Sequence, residues 1–298
     1  MDLRALSMGL TFAVIWSSAF TSARIVVAHA PPLASLSLRF LIAGLIAVAL
    51  ARALGQTWRL TRAQARATII LGICQNATYL GLYFVAMQTV EASLAAIIAS
   101  AMPLLVALAS WLFLGERLPP LGIAGLVAGF AGVALIMGTR LQGGADPFGI
   151  VLCILGVVSL TVATLSVRGA SSGGNVLMIV GLQMLVGSVA LIGPALLLET
   201  WRIDPTWELA AAFVYVIFFP GLVATLVWFL LVRRVGATRA ATFHFLNPFF
   251  GVAIAAVLLG ERMGWADLAG VAVIMAGILA VQLARAAPPA PAAQDGRV

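Results

Sequence analysis

The chain has 298 residues, of which 63% are hydrophobic and only 9% are charged, and its formal net charge is +7. A soluble domain carries about a quarter of its residues as charged side chains, so this composition excludes an ordinary soluble protein and predicts one surrounded by lipid. The positive charge does not indicate nucleic acid, because the arginines are scattered between apolar runs and form no basic block.

The sequence contains ten apolar segments, separated by stretches that are charged or rich in proline or glycine. Each is close to the roughly 20 residues that cross the hydrocarbon core of a bilayer as a helix. In chain order the predicted helices span residues 5–28, 32–53, 65–88, 92–112, 120–139, 147–168, 174–198, 208–232, 238–259 and 264–284. The proline-rich remainder, residues 285–298, is predicted to be a disordered tail.

The first two predicted helices each contain a side chain that is unusual within a membrane span. Trp16, followed by Ser17, lies far from the interfaces where tryptophans of membrane proteins gather, so it either packs between helices or contacts a small molecule. Arg39 could snorkel to the interface, pair with a carbonyl group or attract a carboxylate. All three are candidate site residues, Arg39 as a possible charge partner.

The third predicted helix carries a polar and aromatic stripe. Gln75 or Asn76 shares one helical face with Tyr79 and Tyr83. Such a stripe is costly against lipid, so it either lines a cavity or forms hydrogen bonds between helices. We include all four residues in the predicted binding site, where the rings could hold an apolar group or an ammonium group.

Helices 4 and 9 each combine a proline with polar neighbours. Ser100 precedes Pro103, and His244 and Asn247 precede Pro248. Because proline removes a helix hydrogen bond and frees a carbonyl group, the two prolines are candidate hinges or gates, unless they form static bends. His244 could carry a proton near neutral pH, or it could be a neutral, hydrogen-bonded histidine. Ser100, His244 and Asn247 complete the polar part of the predicted site.

Helices 5 and 10 are rich in glycine at helical spacing. Small residues let helix backbones approach closely, so these two helices are predicted to form a packing seam, either between parts of one chain or between protomers. A monomer is expected, with dimerisation through this seam as the alternative. The glycines are Gly122, Gly125, Gly129 and Gly132 in helix 5 and Gly264, Gly270 and Gly277 in helix 10.

Shifting the sequence by 145 positions reveals an internal repeat. Leu114–Arg117 falls on Leu259–Arg262 without a gap, so the halves span residues 5–139 and 147–284 with five helices each. Since five is odd, the second half starts on the other side of the membrane and the repeats are inverted. Inverted repeats are a recurring transporter design, in which the substrate site lies near the midplane between the repeats and access alternates.

The repeat adds two candidate site residues. Tyr83 falls on Trp228, which gives each half an aromatic ring at a comparable depth. Gln183 lies one position before residue 184, to which the 145-residue shift carries Arg39, so that arginine is not doubled. We therefore add Trp228 and Gln183 to the predicted substrate contacts.

The arginines predict the orientation, because positively charged linkers stay in the cytoplasm. With a cytoplasmic N-terminus, twelve arginines are cytoplasmic and four are outside. The sequence therefore predicts an all-α membrane protein with ten transmembrane helices as two inverted five-helix repeats and both termini cytoplasmic. The cytoplasmic set is Arg4, Arg52, Arg59, Arg62, Arg66, Arg117, Arg168, Arg233, Arg234, Arg239, Arg285 and Arg297.

The order and spacing of these motifs resemble the EamA family of the drug/metabolite transporter superfamily. The resemblance covers residues 5–284 and is carried by the two Leu-Gly-Glu-Arg stretches, the mid-helix prolines and Leu38–Phe40. Members of this family are ten-helix exporters, and the chain is most similar to those that export aromatic or a broad range of amino acids. The resemblance implies a multi-pass protein of the bacterial inner membrane whose partners are the bilayer and a small amino-acid substrate.

Other functions fit the sequence less well. The alternatives within transporters are an exporter or importer of another metabolite or drug, or a nucleotide-sugar type exchanger. A phosphorylated substrate calls for several cationic groups near the midplane, and only Arg39 qualifies. No catalytic or channel-filter motif is found, and Cys74 and Cys153 lie in apolar runs without metal-ligand spacing, so neither an enzyme nor a metal or other cofactor is predicted.

The predicted helices have no Asp or Glu at mid-membrane, and this absence indicates how transport would be driven. The acidic proton relay of many antiporters has no carrier here, which favours a facilitator that runs down the substrate gradient. His244 is the alternative proton carrier.

Overall fold

The computed structural model describes residues 3–166, 175–236, 240 and 242–286. Within these residues the regular structure is helical, and ten helices are long and apolar enough to cross a membrane, as the sequence predicts. The predicted tail, apart from residues 285 and 286, and the helix ends predicted at 168, 174 and 238 lie outside the described residues. The helices are α1 (Leu3–His29), α2 (Pro32–Ala53), α3 (Arg62–Ala86), α4 (Ala92–Phe113), α5 (Pro120–Gln142), α6 (Pro147–Ser166), α7 (Val176–Leu198), α8 (Trp207–Val232), α9 (Thr242–Leu259) and α10 (Trp265–Arg285).

Ten spans return the chain to the side on which it starts. We call the side where α1 begins and α10 ends the terminal face. The side where α1 ends and α2 begins is the opposite face, and the linkers α3–α4, α5–α6, α7–α8 and α9–α10 lie there too. Even-numbered helices therefore begin at the opposite face and odd-numbered helices at the terminal face. α2 and α4 begin at the opposite face, whereas their counterparts α7 and α9 begin at the terminal face.

Helices that correspond in the two halves pack against each other. α2 packs along α7, α5 packs along α10, and α4 contacts α9. In the same way α3 packs on α6, and its counterpart α8 packs on α1. This reciprocity is what a two-fold axis in the membrane plane produces, so the two five-helix halves are inverted relative to each other.

Glycines bring the paired helices into close contact. A Cβ atom added to Gly125 of α5 would lie 2.7 Å from the carbonyl oxygen of Gly277 in α10, and one added to Gly44 of α2 would lie 3.0 Å from the oxygen of Gly181 in α7. Such approaches exclude any larger side chain. The glycine seam predicted for helices 5 and 10 thus joins the two halves of one chain.

The outer surface of the bundle is apolar and the inside holds the polar groups. On α2, Leu38, Leu41 and Leu45 are exposed, whereas Ser37 and Arg39 are buried. A soluble protein distributes these residue types the other way round. The arrangement fits a protein whose solvent is the hydrocarbon of a membrane.

Two helices widen at equivalent places in the repeat. Residues Leu71–Tyr79 of α3 and Ile217–Val223 of α8 form π-helical turns. Shifting residue 71 by 145 positions gives 216, so the two widened segments coincide in the halves. π-helical turns are rare and concentrate at functional sites, and Pro220 adds to the distortion in α8.

The two predicted hinge prolines lie at interruptions of helical backbone. The first part of α4, Ala92–Ser100, ends at Ala101, and Pro103 is in the first turn of the segment that follows. Pro248 follows the 3₁₀ turn Thr242–Leu246 at the start of α9. Proline is tolerated in a first turn because its missing N–H has no partner there, and a hinge role for both residues remains a prediction.

Candidate functional site

A small cavity lies between the two halves, in the interior of the bundle. Its volume is about 40 Å³, well below the roughly 300–1,000 Å³ of open pockets for small molecules. Its walls come from α1, α3 and α4 of the first half and from α6 and α9 of the second. The lining residues are Trp16, Phe20, Tyr79, Ala96, Ala99, Ser100, Met102, Pro103, Leu160, His244 and Asn247.

Six residues of the predicted site lie in this lining, although they come from four helices. Three are aromatic or heteroaromatic, and three bring a hydroxyl, an amide and a proline. The six are Trp16, Tyr79, Ser100, Pro103, His244 and Asn247.

Asn247 and His244 form a polar corner of the cavity. Asn247 Nδ2 lies 3.0 Å from His244 Nδ1; with the amide as donor, that ring nitrogen is unprotonated and the imidazole proton is on Nε2. Asn247 Oδ1 is buried and has no hydrogen-bond partner among the described residues. Since buried acceptors are nearly always paired, this oxygen is suited to accept a hydrogen bond from a bound molecule.

Ser17 supports the polar corner from behind. Its hydroxyl donates to the backbone carbonyl of Asn247 at 3.3 Å, and Ser17 itself is fully buried outside the cavity lining. This bond ties α1 of the first half to the irregular start of α9 in the second. The predicted contact residue Ser17 therefore positions Asn247 in this conformation.

Three aromatic rings surround the imidazole of His244. The ring centroids lie 5.3 Å away for Phe12, 5.1 Å for Trp228 and 6.5 Å for Trp16. Phe12 also packs on Trp228 at 4.8 Å. Trp228, a predicted contact, thus lies behind His244 and holds its ring rather than lining the cavity, while Trp16 forms the wall itself.

The two tyrosines of α3 differ in their surroundings. Tyr79 lines the cavity, and its ring centroid lies 4.7 Å from that of Tyr83. Tyr83 is fully buried behind it, against Gly156 of α6, where an added Cβ would come within 2.8 Å of the Tyr83 ring. The Tyr83 hydroxyl has no partner in the described part of the chain, so it forms a second layer of the aromatic wall.

The remaining polar residues of α3 make a helix–helix contact. Asn76 Nδ2 donates to the carbonyl oxygen of Gln183 in α7 at 3.0 Å. Gly187 packs against the same asparagine side chain. Asn76, Gln183 and the half-buried Gln75 lie outside the cavity lining, so here the structure has the hydrogen bonding between helices that the sequence left open as an alternative.

Arg39 is buried in α2, outside the cavity lining. It is 6% exposed, and its guanidinium lies 5.4 Å from the ring centroid of Phe40. Its Nε has no hydrogen-bond partner among the residues that the structure describes. A role as charge partner for a substrate remains a prediction.

Five lining residues were not identified from the sequence. Phe20 is one turn beyond Trp16, so the helical spacing that linked Tyr79 to Tyr83 would also have found it. The other four are apolar side chains in apolar helices, and nothing in their residue types separates them from lipid-facing positions. These four are Ala96, Ala99, Met102 and Leu160.

Comparison with known proteins places the chain among transporters. The model of the EamA-like transporter family matches it twice, over residues 3–138 and 147–283. The uncharacterized transporter YvbV of Bacillus subtilis is 29% identical over 91% of this chain and 90% of its own length. The uncharacterized inner membrane transporter YedA of Escherichia coli is 28% identical over 91% and 88%. A probable amino-acid metabolite efflux pump of Salmonella typhimurium is 26% identical over 91% and 92%.

A solved structure shares the architecture. One crystal structure superposes with a TM-score of 0.66 over 96% of this chain and 99% of that one, at 23% sequence identity. At this identity the likeness shows the fold. The ten-helix arrangement of inverted halves is therefore shared with a protein whose structure has been determined.

Proposed function

This chain belongs to the EamA-like transporter family and is a multi-pass transporter of the inner membrane, and from that premise we propose that it exports small neutral or zwitterionic metabolites, amino acids foremost. Aromatic and other neutral amino acids are the proposed substrates. The route is the central cavity, which opens to one face of the membrane at a time.

The composition of the cavity wall carries this proposal. None of its lining residues is Asp, Glu, Lys or Arg, and its side-chain polar groups belong to Trp16, His244, Asn247, Tyr79 and Ser100. A permanently charged substrate would lose its hydration there without a counter-ion. A zwitterion needs only matched donors and acceptors, which the wall has in Asn247 Oδ1 and the N–H of His244.

The aromatic rings favour a particular part of such a substrate. Trp16, Phe20 and Tyr79 face the cavity together. Aromatic faces attract ammonium groups and pack against apolar side chains. A neutral amino acid presents both, which is why aromatic and aliphatic members of that class are the proposed cargo.

Transport requires the cavity to change size. At about 40 Å³ the cavity holds only a few water molecules, so a substrate enters only when the walls separate. The wall segments beside Pro103 and Pro248 adjoin interrupted backbone, and we assign the hinge function to them. Motion of one half against the other would then expose the cavity to each face in turn.

The proposed orientation rests on the distribution of arginine. Twelve of the seventeen arginines lie in segments that the sequence predicts to be cytoplasmic, and Arg4, Arg117 and Arg285 among them are at the terminal face, so the positive-inside rule puts that face in the cytoplasm. A relative that is named as a probable efflux pump supports export. The absence of acidic residues from the lining supports facilitated movement down the substrate gradient over acid-based proton coupling.

Uptake into liposomes tests the function. Purified protein is reconstituted, and radiolabelled phenylalanine, methionine, threonine and glutamate are supplied with and without an imposed proton gradient. We expect saturable uptake of the three neutral amino acids without a gradient and little uptake of glutamate. Uptake only with a proton gradient would replace the facilitator with a proton-coupled carrier, and uptake of none of the four would reject the amino-acid assignment in favour of another metabolite.

A matched pair of variants ties uptake to the cavity. Trp16→Ala removes a ring from the wall, and Val151→Ala shortens a lipid-exposed side chain of α6. Phenylalanine uptake should fall roughly tenfold in the first, the change that ~1.4 kcal/mol of lost contact produces, and stay at the parent level in the second. Equal uptake in both variants would place the route elsewhere.

A further inference from the structure

A glutamate of the second half caps a helix of the first half at the opposite face. Glu261, in the α9–α10 linker, accepts hydrogen bonds from the backbone N–H groups of Ala92 and Ser93 at 2.8 and 2.9 Å. Both oxygens of the carboxylate are used, one for each N–H. The first N–H groups of a helix have no partner within it, and the helix dipole favours a negative charge there, so Glu261 ties the start of α4 to the other half of the molecule.

Glu199 does the same for α2. It follows α7, and its two carboxylate oxygens accept from the N–H groups of Leu33 and Ala34 at 2.5 and 2.9 Å. α2 and α4 are the two helices of the first half that begin at this face. Both are therefore held at their first turn by a carboxylate from the second half.

An ion-pair cluster reinforces the contact at α4. Arg140, at the end of α5, pairs with Glu91, the residue that immediately precedes α4. The same guanidinium bonds Asp267 in the first turn of α10, with Nε 3.0 Å from Oδ1. The cluster also spans the two halves, so the start of α4 has two independent attachments to the second half.

At the terminal face, the first turn of α7 is bonded by different chemistry from the first turn of α2. α7, the counterpart of α2, receives one hydrogen bond at its first turn, from the Met178 N–H to Gln56 Oε1 at 2.9 Å. Gln56 lies in the α2–α3 linker, as Glu199 lies in the α7–α8 linker. A neutral amide with one bond thus stands where the opposite face has a carboxylate with two.

The capped end of α4 is continuous with the cavity wall. Ala96, Ala99 and Ser100 line the cavity and belong to the short segment Ala92–Ser100, which ends at the interruption of Ala101. The capped end and this part of the cavity wall therefore belong to one helical segment, Ala92–Ser100. Moving that segment away from the second half requires the bonds of Glu261 to break.

We propose that Glu199 and Glu261 are paired latches that hold the opposite face of the transporter closed, and that their release is the step that opens the cavity to that face. The proposal rests on the alternating access of the proposed function. It does not depend on which substrate is carried, because the latches act on the two halves and not on the cargo.

Accessibility of a cavity cysteine tests the latches without any substrate. The reporter is Ala99→Cys in a chain whose Cys74 and Cys153 are replaced by alanine. Proteoliposomes are sorted by the side on which a C-terminal tag is exposed, and the rate of reaction with a membrane-impermeant thiol reagent is measured from each face. Glu199→Ala and Glu261→Ala should each raise the rate from the opposite face roughly tenfold, the change in population ratio that ~1.4 kcal/mol produces.

Two control variants separate latch release from damaged packing. Thr206→Ala removes a side-chain cap at the same face, but Thr206 caps α8 within its own half through the Leu209 N–H, so it should leave the rate unchanged. Gln56→Ala should raise the rate from the terminal face alone. Glu261→Gln, which keeps one acceptor oxygen, should give an intermediate rate and covers the case in which Glu261→Ala fails to fold.

Each outcome decides the proposal. Rates from the opposite face that stay within about twofold of the parent in both glutamate variants, or that rise equally from both faces, would overturn it. A reporter that reacts from neither face in any variant would overturn alternating access as well. Selective acceleration from the opposite face supports the latches even if none of the tested amino acids is transported.

Discussion

Asn247 is the residue on which substrate binding is expected to depend most. Its Oδ1 is a buried acceptor without a partner among the described residues, and its Nδ2 fixes His244 Nδ1 at 3.0 Å. Asn247→Leu has a similar volume but offers no acceptor, so a substrate donor would be buried unpaired at a cost of about 1–3 kcal/mol. We expect roughly a tenfold or larger loss of phenylalanine uptake at low substrate concentration, measured in proteoliposomes.

The matched control for that substitution is Leu155→Ala, because Leu155 is exposed on the lipid-facing side of α6. Its uptake should equal that of the parent. A thermal melt of both purified variants establishes that each is folded. Unchanged uptake by a folded Asn247→Leu variant would remove Asn247 from the binding site.

Asp146 gives a pH-dependent prediction outside the membrane spans. The Thr89 hydroxyl donates to its carboxylate at 2.6 Å, and the Phe148 and Gly149 N–H groups donate to it at 3.0 and 3.1 Å, so the pKa of Asp146 is lowered, mainly by Thr89. A lowered pKa in the folded state stabilises the protein above the pKa of unfolded aspartate, about 3.9, and this contribution is lost as the pH falls through the folded value. Asp146→Asn should therefore melt below the parent at pH 7.

The quantity to measure is the difference in melting temperature between the parent and Asp146→Asn. It should shrink as the pH is lowered below about 4, since the parent carboxylate then becomes neutral as well. Other carboxylates titrate in both proteins and cancel in the difference. A gap that is constant from pH 7 to pH 3 would mean that the hydrogen bonds, and not the charge of Asp146, stabilise the start of α6.

Cavity-lining residues could be predicted from the sequence where a polar or aromatic side chain differs from the apolar helix around it. Trp16, Tyr79 and His244 stand out in apolar helices, and all three line the cavity. Asn76 stands out equally, but it forms a hydrogen bond with α7. A polar side chain in a membrane helix can find hydrogen-bond partners in a cavity or on another helix, and helical periodicity does not distinguish the two. Ala96 and Leu160 do not differ in residue type from the apolar helices around them, and only the packing shows that they line the cavity.

Two glycines of α5 have different surroundings, so substitution by alanine is expected to change stability in opposite ways. At Gly125 an added Cβ meets backbone and Cβ atoms of α10 at 2.7–3.0 Å, whereas at Gly138 it meets nothing within 4 Å. Gly125→Ala should therefore separate α5 from α10 and destabilise the protein by about 1–3 kcal/mol. Gly138→Ala should be neutral or slightly stabilising, because alanine is the better helix former.

Thermal unfolding in a single detergent compares the two alanine variants directly. The melting temperature of Gly125→Ala should fall, and that of Gly138→Ala should not. A fall of the same size in both would indicate that helix propensity, and not the close approach of the α5 and α10 backbones, sets the stability of this seam.

Whole helices were predicted well by length and hydropathy, and their internal irregularities were not. The ten spans follow from apolar runs that only a membrane tolerates. α3 begins at Arg62 and not at the predicted residue 65, because Thr61 and Gln64 form a reciprocal capping box that a cut at charged residues overlooks. The π-helical turn of α3 was not predicted from the sequence, and in α8 only Pro220 marks the distorted segment.

At the scale of the whole molecule, the repeat carried the most information. The 145-residue shift that aligns Leu114–Arg117 with Leu259–Arg262 anticipated the inverted halves and a cavity between them. It did not predict that α2 packs along α7 or that α4 contacts α9. What the repeat could not anticipate is where the halves differ. Glu199 caps α2 with two bonds and Gln56, from the corresponding linker, caps α7 with one, and the proposed latches depend on this difference between the two faces.

The arginine distribution makes a definite prediction of which face is cytoplasmic. Twelve arginines lie in segments that the sequence predicts to be cytoplasmic and four in segments predicted to be outside, so inserting the chain the other way round would place twelve outside and four inside, against the positive-inside rule. Alkaline phosphatase, which is active only outside the cytoplasm, is fused after Gly144 in the exposed α5–α6 linker or after Ala286 beyond α10. We expect activity from the first fusion and none from the second.

Fusions to a fluorescent protein that folds only in the cytoplasm should give the reverse pattern, bright after Ala286 and dark after Gly144. The two reporters together distinguish a wrong orientation from a poorly expressed fusion, because each site should be positive in one assay. Phosphatase activity of the fusion after Ala286, together with fluorescence of the fusion after Gly144, would reverse the predicted orientation. The ten-helix fold and the cavity would stand, but the latched face would then open to the cytoplasm.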